Sequence, residues 1–393
     1  MAKTGVGARW ESELAVYQDP ISGATIHQLT NYKGHSNHFY FTYPCWYDSG
    51  RKIVFYSDRD NRTNLFGVDL ITGGIVQLTD FDPAQAAVGG LSKNPVREEV
   101  YFYRGGVLTA LDLVTLETRP LYTRPEGYVG GSSNATADGK YICAGHYKDL
   151  SDQFMIDLGH GYVGFREIWA AHPPSTIVKI PIDGGASEVV YEEDYWLGHF
   201  NCSTKLPDIM TFCHEGPWHL VENRIWGLNL NTGEAWQIRP NAPDEAIGHE
   251  YWLQDGEHIG YHGRTPSGPV YGAIRYDNTD QVEAPFEGHC WHFHSYMLDL
   301  VVGDGDAKDP YLLLWRFKEG GSTGDGPSFE GPKVLVWHRG SFHTQRVHLH
   351  PCFNDNGTQI IYTADPQGYG QVFAVDVPAF ETLPDLADVK ARS

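Results

Sequence analysis

The stretch KIVFYSDRDNRTNLFGVDLITGGIVQLTD, Lys52 to Asp80, contains a pattern that recurs along the chain. A short apolar strand is followed by a polar turn, a second strand, a turn of the Thr-Gly type and a closing strand. Short strands separated by turn residues at regular spacing are typical of β-propeller blades. The stretch therefore predicts one blade of a propeller.

Segments similar to the closing strand of this blade, IVQLT, occur elsewhere: TRPLY from Thr118, SEVVY from Ser187, AWQIR from Ala235, QVEAP from Gln281 and KVLVW from Lys333. The last copy of the pattern, which begins at Thr358, has no closing strand after it, whereas TIHQLT from Thr25 has no strand before it. We predict that this N-terminal strand completes the C-terminal blade. The result is an all-β, seven-bladed β-propeller in one domain over residues 1–393, without free sheet edges. The tail from Pro378 is expected to form a short polar helix or a frayed end.

Composition agrees with a turn-rich β protein. The chain of 393 residues is 41% hydrophobic and 13% aromatic, and it contains 44 glycines and 23 prolines. Its formal charge of -21 argues against nucleic acid as a partner, because phosphate binding requires clustered Lys and Arg. No stretch is long and apolar enough to span a membrane. An anionic ligand would need a local basic island made by arginine, histidine or a metal ion.

The N-terminal sequence MAKTGVGARWESELAVY lacks the apolar region of a signal peptide. Six cysteines lie far apart and form no C-x-x-C pair, which indicates reduced thiols rather than disulfides or a zinc site. We therefore expect a cytoplasmic protein.

Histidines are concentrated in two segments, HCWHFHS from His289 and HTQRVHLHP from His343. If the second segment is an extended strand, His348 and His350 share one face and Gln345 points away, unless a turn or bulge re-aims it. Two such imidazoles and a third from a neighbouring strand can bind a divalent ion such as manganese, iron, zinc or nickel. The alternative is that these histidines are polar rim residues with satisfied hydrogen bonds.

Polar segments near the predicted innermost strands supply candidate substrate contacts, because loops of several blades converge at one mouth of a propeller channel. The candidates with chemical capacity are Arg59, His214 and Arg224, together with His35, His38, Glu215 and His249. For Arg59 the alternative is an ion pair with Asp58 or Asp60 in its own turn. For Arg224 and His249 it is a rim contact with aromatic residues.

Five phrases, taken in order, resemble the oligogalacturonate lyases, a polysaccharide-lyase family. They are GHSNHFYFTYPCWYD from Gly34, CHEGPW with NRIW from Cys213, GHEYW from Gly248, WHFHS with GDG from Trp291, and HTQRVHLHP from His343. The resemblance covers nearly the whole chain. It implies a seven-bladed propeller with a manganese ion that cleaves short pectin fragments by β-elimination. The Gly-rich segment GGSTGDGPS, from Gly320, is hard to align with the family.

Position by position, the resemblance implies four metal ligands, His294, Gln345, His348 and His350. It implies that His249 is the general base and that Arg224 faces the substrate carboxylate. The close spacing of the upstream histidine cluster leaves His289 and His292 as alternatives to His294.

The residue types suit this reaction. Elimination of the glycosidic oxygen from C4 of a uronate requires removal of the C5 proton, which is weakly acidic because the adjacent carboxylate is already charged. A divalent cation and an arginine on that carboxylate would stabilise the enolate-like intermediate. An imidazole base fits because its ordinary pKa of about 6.5 lies near the working pH.

Three other functions fit the same motifs. The chain could be a lyase for another uronate-containing oligosaccharide, since a fold does not fix the sugar. It could be a propeller hydrolase or lactonase, in which the metal activates water beside an acid such as Asp304, Asp306 or Glu250. It could also be a non-catalytic scaffold for protein partners. An unsaturated product that absorbs in the near ultraviolet distinguishes a lyase from a hydrolase.

Overall fold

The computed structural model describes residues 4–84, 88–320 and 326–392, so residues 321–325 of the Gly-rich segment lie outside the described residues. The chain divides into two compact units. The first consists of Met1–Pro83, Val270–Gly272 and Val282–Ser393, and the second of Ala84–Pro269 and Ala273–Gln281. Seven β-sheets occur in the described residues, in agreement with the predicted seven-bladed β-propeller.

Three sheets lie in the first unit. One has the strand order Arg9–Trp10, Ile75–Gln77, Asn64–Asp69, Lys52–Ser57 and Ser36–Asn37, with Trp46–Tyr47 also paired to Lys52–Ser57. Another has the order Phe293–Ser295, Leu300–Gly303, Tyr311–Lys318 and Ser328–Trp337. The third has the order Ala15–Gln18, Thr25–Gln28, Gln371–Asp376, Gln359–Ala364 and Cys352–Phe353. The antiparallel pairing of Thr25–Gln28 with Gln371–Asp376 is the predicted junction of the N-terminal strand with the C-terminal sheet.

Three more sheets lie in the second unit. One has the strand order Thr118–Thr123, Val107–Asp112, Glu99–Arg104 and Val88–Lys93. Another has the order Tyr128–Val129, Tyr141–Lys148, Pro174–Pro181 and Glu188–Asp194, with Ser133–Ala135 also paired to Tyr141–Lys148. The third has the order Leu197–Cys202, Ile209–His214, Ile225–Asn229 and Ala235–Gln237. The seventh sheet has the order Ala246–Trp252, His258–Thr265, Gly268–Arg275 and Val282–Pro285. The predicted closing segments from Thr118 to Lys333 each supply the strand at one end of a sheet.

The turns between strands explain why the pattern repeats. Asp69 Oδ1 accepts hydrogen bonds from the backbone N–H groups two and three residues later, at 3.0 and 2.9 Å. The side chains of Asp112 and Asn229 accept the corresponding pair of bonds in their own turns. Short acceptor side chains close turns of this kind locally. The strand boundaries are therefore specified by sequence close to each turn.

Buried apolar strands form the core of each unit. Leu335 and Val375 belong to one buried cluster in the first unit, and Ile142 and Val178 belong to another in the second. The helix Leu386–Arg392 is the predicted polar tail helix, whereas the helix Phe165–Ala171 was not predicted. The remaining regular elements are the 3-10 turns Arg59–Asn61, Gln345–Val347 and Phe380–Thr382. None of the described helices has the length and apolar character needed to cross a membrane.

Candidate active site

Three histidine rings of the first unit, His292, His348 and His350, face one another and are called here the histidine triad. One nitrogen of each ring lies within 4.8 Å of those of the other two. The centroids of the His292 and His350 rings are 4.3 Å apart. The His348 centroid lies 5.7 Å from that of His292 and 5.8 Å from that of His350. Imidazole nitrogens at this spacing can share one divalent cation.

A 3-10 turn, rather than a strand, leads into the triad. Gln345–Val347 form this turn, His348 is extended, and His350 adopts a φ of 47°. The segment is therefore the exception allowed in the sequence analysis, in which a turn, here followed by a left-handed residue, re-aims the side chains. His38 holds the backbone in place: its Nε2 donates to the carbonyl of His350 at 2.8 Å, and its Nδ1 accepts from Thr363 Oγ1 at 2.7 Å.

A buried carboxylate sets the tautomer of His292. Asp304 is fully buried, and its Oδ2 accepts a hydrogen bond from His292 Nδ1 at 2.7 Å. Its Oδ1 accepts the backbone N–H groups of Trp291 and His292 at 2.8 and 2.9 Å. Because Nδ1 donates in this bond, Nε2 is the nitrogen of His292 that could bind a cation. Carboxylates commonly orient metal-ligating histidines in this way.

The other two rings of the triad also have lone pairs available. Burial and the neighbouring His292 lower the pKa of His348 to about 4 and that of His350 well below its ordinary value. His348 Nδ1 and His350 Nε2 have no hydrogen-bond partner among the described residues. Buried polar atoms without a partner are rare in native proteins. A divalent cation fits this donor set, because it would bind lone pairs that the protein leaves unbonded.

In the second unit, His199, Glu215, Arg224 and Glu250 form a group called here the charged cluster. Arg224 Nη1 donates to Glu215 Oε1 at 2.8 Å, and His199 Nδ1 lies 3.2 Å from Glu250 Oε1. Burial alone would raise the pKa of Glu215, but the charges of Arg224 and His199 lower it to about 2. Burial would lower the pKa of Arg224, but Cys213 and the two carboxylates raise it above its ordinary value. The Arg224–Glu215 pair is therefore charged at neutral pH.

His199, Cys213 and Glu215 also place three possible ligand atoms within 4.8 Å of one another. Their surroundings do not suit a cation. Burial raises the pKa of the Cys213 thiol well above its ordinary value, and Arg224 already binds Glu215. A divalent ion would have to displace the thiol proton and lie beside a guanidinium group. We therefore assign no metal site to these residues.

His249 lies beside the charged cluster on a β-bulge. The register with the next strand shifts after Gly248, and His249 adopts a φ of 50°. Its Nδ1 is 3.1 Å from His262 Nε2. The Trp218 ring is perpendicular to it at 4.8 Å, and the His199 ring is nearly parallel to it at 6.0 Å. These contacts hold the imidazole in one orientation next to a buried cation and its carboxylate.

A family model and two relatives match this chain over nearly its whole length. The family model described as "Oligogalacturonate lyase" matches residues 4–380. The chain belongs to this family. It is 27% identical to the oligogalacturonate lyase of Dickeya dadantii over 95% of this chain and 98% of that protein. It is also 27% identical to the oligogalacturonide lyase of Pectobacterium atrosepticum, over 92% of this chain and 95% of that protein.

A solved structure of oligogalacturonate lyase in complex with manganese is also similar to this chain. The TM-score is 0.84 at 24% sequence identity, and the match covers 96% of this chain and 99% of that one. This likeness shows a common fold, in agreement with the seven sheets of the described residues.

The family resemblance pointed to His294 as the upstream metal ligand, but the structure places His292 in the triad. His294 Nδ1 accepts a hydrogen bond from the backbone N–H of Phe353 at 3.2 Å, and its Nε2 lies 3.7 Å from Cys352 Sγ. Burial lowers the pKa of His294 to about 3. His294 is thus engaged with the neighbouring strand Cys352–Phe353, and His292 is the upstream histidine that lies with His348 and His350.

The remaining residues considered near the metal differ in position. His289 is largely exposed and lies 3.2 Å from Asp306. Asp306 Oδ1 accepts two backbone N–H groups of its own turn, and Asp304 is bonded to His292. These contacts engage two of the three acids considered for water activation in a hydrolase, and the third, Glu250, lies 3.2 Å from His199 in the charged cluster. Gln345 lies in the turn just before His348 and stays a predicted ligand.

Arg59 is buried in the core, which contradicts its predicted contact with substrate. Its side chain has no exposed surface, and its Nη2 donates to Glu13 Oε2 at 2.9 Å. Its guanidinium carbon lies between 5.2 and 5.8 Å from the ring centroids of Trp10, Tyr32, Phe55 and Phe66. The ion pair expected with Asp58 or Asp60 is likewise replaced by Glu13, a partner distant in sequence.

His214 is also engaged within the protein rather than presented to substrate. Its Nε2 lies 3.0 Å from Glu193 Oε2. Its ring is stacked between Tyr195, at 4.0 Å, and Trp226, at 4.6 Å. The imidazole therefore packs strands together and pairs with a carboxylate, and we do not retain it as a substrate contact.

Sequence reasoning missed His199 and His262. One signal was present for the first: Gly198-His199 repeats the Gly-His pair of Gly248-His249, and both histidines lie at bulges with a φ of 50°. His262 has no such signal, because its role depends on a hydrogen bond to a neighbouring strand.

Proposed function

We propose that this chain is a manganese-dependent oligogalacturonate lyase that cleaves short oligogalacturonates by β-elimination and releases 4,5-unsaturated uronates. The observation that carries this proposal is the histidine triad, in which Asp304 orients one ring and a buried nitrogen of each of the other two has no hydrogen-bond partner among the described residues. Membership of the family, and a manganese complex among the similar structures, support the choice of substrate class and ion.

In this proposal His292, His348 and His350 hold the cation, with Gln345 as a fourth ligand. Imidazole nitrogens and an amide oxygen are donors that manganese accepts. When bound, the cation supplies positive charge that neutralises the substrate carboxylate and makes the C5 proton more acidic.

Arg224 is proposed to bind the substrate carboxylate. The guanidinium is held by Glu215 and lies 5.4 Å from the Trp218 ring centroid. It also packs tightly against the backbone, because a Cβ at Gly248 would lie 2.4 Å from Arg224 Cδ. A cation fixed in this way stabilises developing negative charge with little reorganisation.

His249 is proposed to remove the C5 proton. The electron pair of the C5–H bond passes into the enolate-like intermediate, and the C4–O bond then breaks. The glycosidic oxygen leaves as a hydroxyl group after it takes a proton from solvent. No water adds to the sugar, so a double bond remains between C4 and C5.

We also propose a single propeller domain that acts in the cytoplasm, in the breakdown of pectin fragments. All six cysteines are buried free thiols, as expected for a protein in a reducing compartment.

The test is to mix the manganese-loaded protein with digalacturonate and follow absorbance in the near ultraviolet, with and without a chelator. The proposal predicts an absorbance increase that the chelator abolishes and added manganese restores. Parallel reactions with a glucuronate-containing disaccharide test the sugar. New reducing ends without ultraviolet absorbance would indicate a hydrolase, and no turnover of any uronate would overturn the proposal.

A further inference from the structure

The hydrogen bond between His249 and His262 joins two imidazoles. His249 Nδ1 lies 3.1 Å from His262 Nε2, so one nitrogen must carry the hydrogen and the other must accept it. The tautomers of the two rings are therefore linked. When the donating ring is neutral, its other nitrogen carries the lone pair.

Both rings are fixed by their neighbours. The strand register places His262 opposite Gly248, immediately before the bulge that carries His249. The Trp218 ring lies 4.8 Å from His249 and 5.4 Å from His262. Two chemically identical groups are thus held at hydrogen-bond distance by one aromatic ring and two adjacent strands.

We propose that His262 is a positioning residue that accepts the Nδ1 hydrogen of His249 and so makes Nε2 of His249 the basic atom. This inference rests on the proposed role of His249 as base. In the opposite arrangement, His249 would use its only lone pair to accept from His262 and could take no proton from carbon. The direction of the bond therefore decides whether His249 is competent.

The same contact stabilises the product of proton transfer. When His249 Nε2 takes the C5 proton, the ring becomes an imidazolium whose Nδ1–H still donates to neutral His262. A hydrogen bond from a charged donor is stronger than one from a neutral donor. The proton then leaves Nε2 to solvent, and His249 returns to its starting tautomer.

Other charged groups also face His249. The His199 ring is stacked on it, with Glu250 against His199, and Arg224 packs against Gly248. A substitution at His262 leaves these residues themselves unchanged. A change in the behaviour of His249 in such a variant therefore reports on the imidazole–imidazole bond.

The test compares His262→Ala, which removes the acceptor, with His262→Gln, whose amide oxygen can accept the same hydrogen. The matched control is His258→Gln, which changes a histidine of the same strand that pairs with Asp255. We expect His262→Ala to lower kcat by about 10- to 100-fold with little change in KM, as for loss of a group that orients a catalytic base. His262→Gln should recover most of kcat, and the control should match the parent.

The pH profile supplies a readout that a purely structural role would not move. Because the acceptor favours the protonated form of His249, its removal should lower the pKa of His249, and the acidic limb of the kcat profile should move to lower pH. A parent-like kcat in His262→Ala would overturn the inference. So would a His262→Gln variant as impaired as His262→Ala, since packing alone would then explain the loss.

Nitrogen-15 NMR of histidine-labelled parent protein tests the tautomer without any variant at His262. His249→Gln serves only to assign the signals. We expect a protonated Nδ1 and an unprotonated Nε2 on neutral His249, and the reverse tautomer would overturn the inference. The two hypotheses also fail differently: an active His249→Gln protein refutes the proposed base, whereas an inactive one with a parent-like His262→Ala refutes only the role of His262.

Discussion

The histidine triad and the charged cluster use the same residue type in opposite ways. In the triad, the Nδ1 hydrogen of His292 is directed at Asp304, and three buried or half-buried rings face one another. In the charged cluster, His199 lies near the carboxylates of Glu215 and Glu250, and Arg224 already neutralises part of their charge. The first arrangement suits a cation, and the second already contains the guanidinium of Arg224. The groups around an imidazole therefore decide whether it can bind a metal ion.

Removal of one triad ring should have the largest effect, on both metal content and turnover. In His348→Ala, we expect the purified protein to lose its manganese and kcat/KM to fall by about 1000-fold, since a lost cation removes several kcal/mol of charge stabilisation. Metal analysis and initial rates measure both effects. The control is His160→Ala, an exposed histidine of the second unit. Full metal content with normal turnover in His348→Ala would show that the triad is not the metal site.

Removal of the carboxylate behind the triad should have a smaller effect. Asp304→Asn should weaken manganese binding by about 10- to 100-fold, because the amide orients His292 without supplying charge. Calorimetric titration of the metal-free protein measures the affinity. Asp306→Asn is the matched control, since Asp306 lies in a neighbouring turn and does not contact the triad rings in the described contacts. Equal affinities in the two variants would contradict the role of Asp304.

Loss of the carboxylate in the charged cluster should affect stability rather than metal binding. Glu215→Gln leaves Arg224 buried without its partner and should lower the free energy of unfolding by about 3 kcal/mol at neutral pH. The pKa of Glu215 in the folded protein is about 2, below its ordinary value. Its contribution is therefore present above about pH 4.3 and is lost as pH falls towards 2. Urea unfolding should show a difference in the free energy of unfolding between parent and variant, and this difference should become smaller as pH falls over this range.

Two results would contradict this account of Glu215. One is a difference in the free energy of unfolding that does not change with pH, which would mean that the ionised carboxylate is not the stabilising species. The other is loss of manganese affinity in Glu215→Gln, which would mean that the charged cluster takes part in metal binding.

The smallest change is expected at His294. His294→Gln should retain the manganese affinity of the parent and lose about 1 kcal/mol of stability, because the hydrogen bond from Phe353 is weakened. The matched variant His292→Gln should lose the metal. Calorimetry on both proteins makes the comparison, and a reversed order would restore His294 as the ligand.

Much of the fold could be predicted because it is specified locally. Apolar strands such as Lys52–Ser57 alternate with turns closed by Asp69, Asp112 or Asn229, and each turn is encoded within a few residues. The pairing of the two chain ends was also predictable, since one terminal segment lacked a closing strand and the other supplied it.

The site was predictable only in part. His348 and His350 could be singled out from their spacing, but the choice between His292 and His294 depends on Asp304, which directly follows the strand Leu300–Gly303. Arg59 was wrongly assigned because its partner Glu13 is 46 residues away. Local sequence identifies which residues have chemical capacity, whereas contacts distant in sequence decide which of them are already engaged.

The measurement that tests the central claim most directly is manganese binding and turnover of the His249→Gln protein, determined on one preparation. The account predicts parent-like manganese affinity together with a loss of kcat of at least about 100-fold, the scale of general-base catalysis. Loss of the metal, or turnover close to that of the parent, would contradict the assignment of His249 as the base and the triad as the metal site.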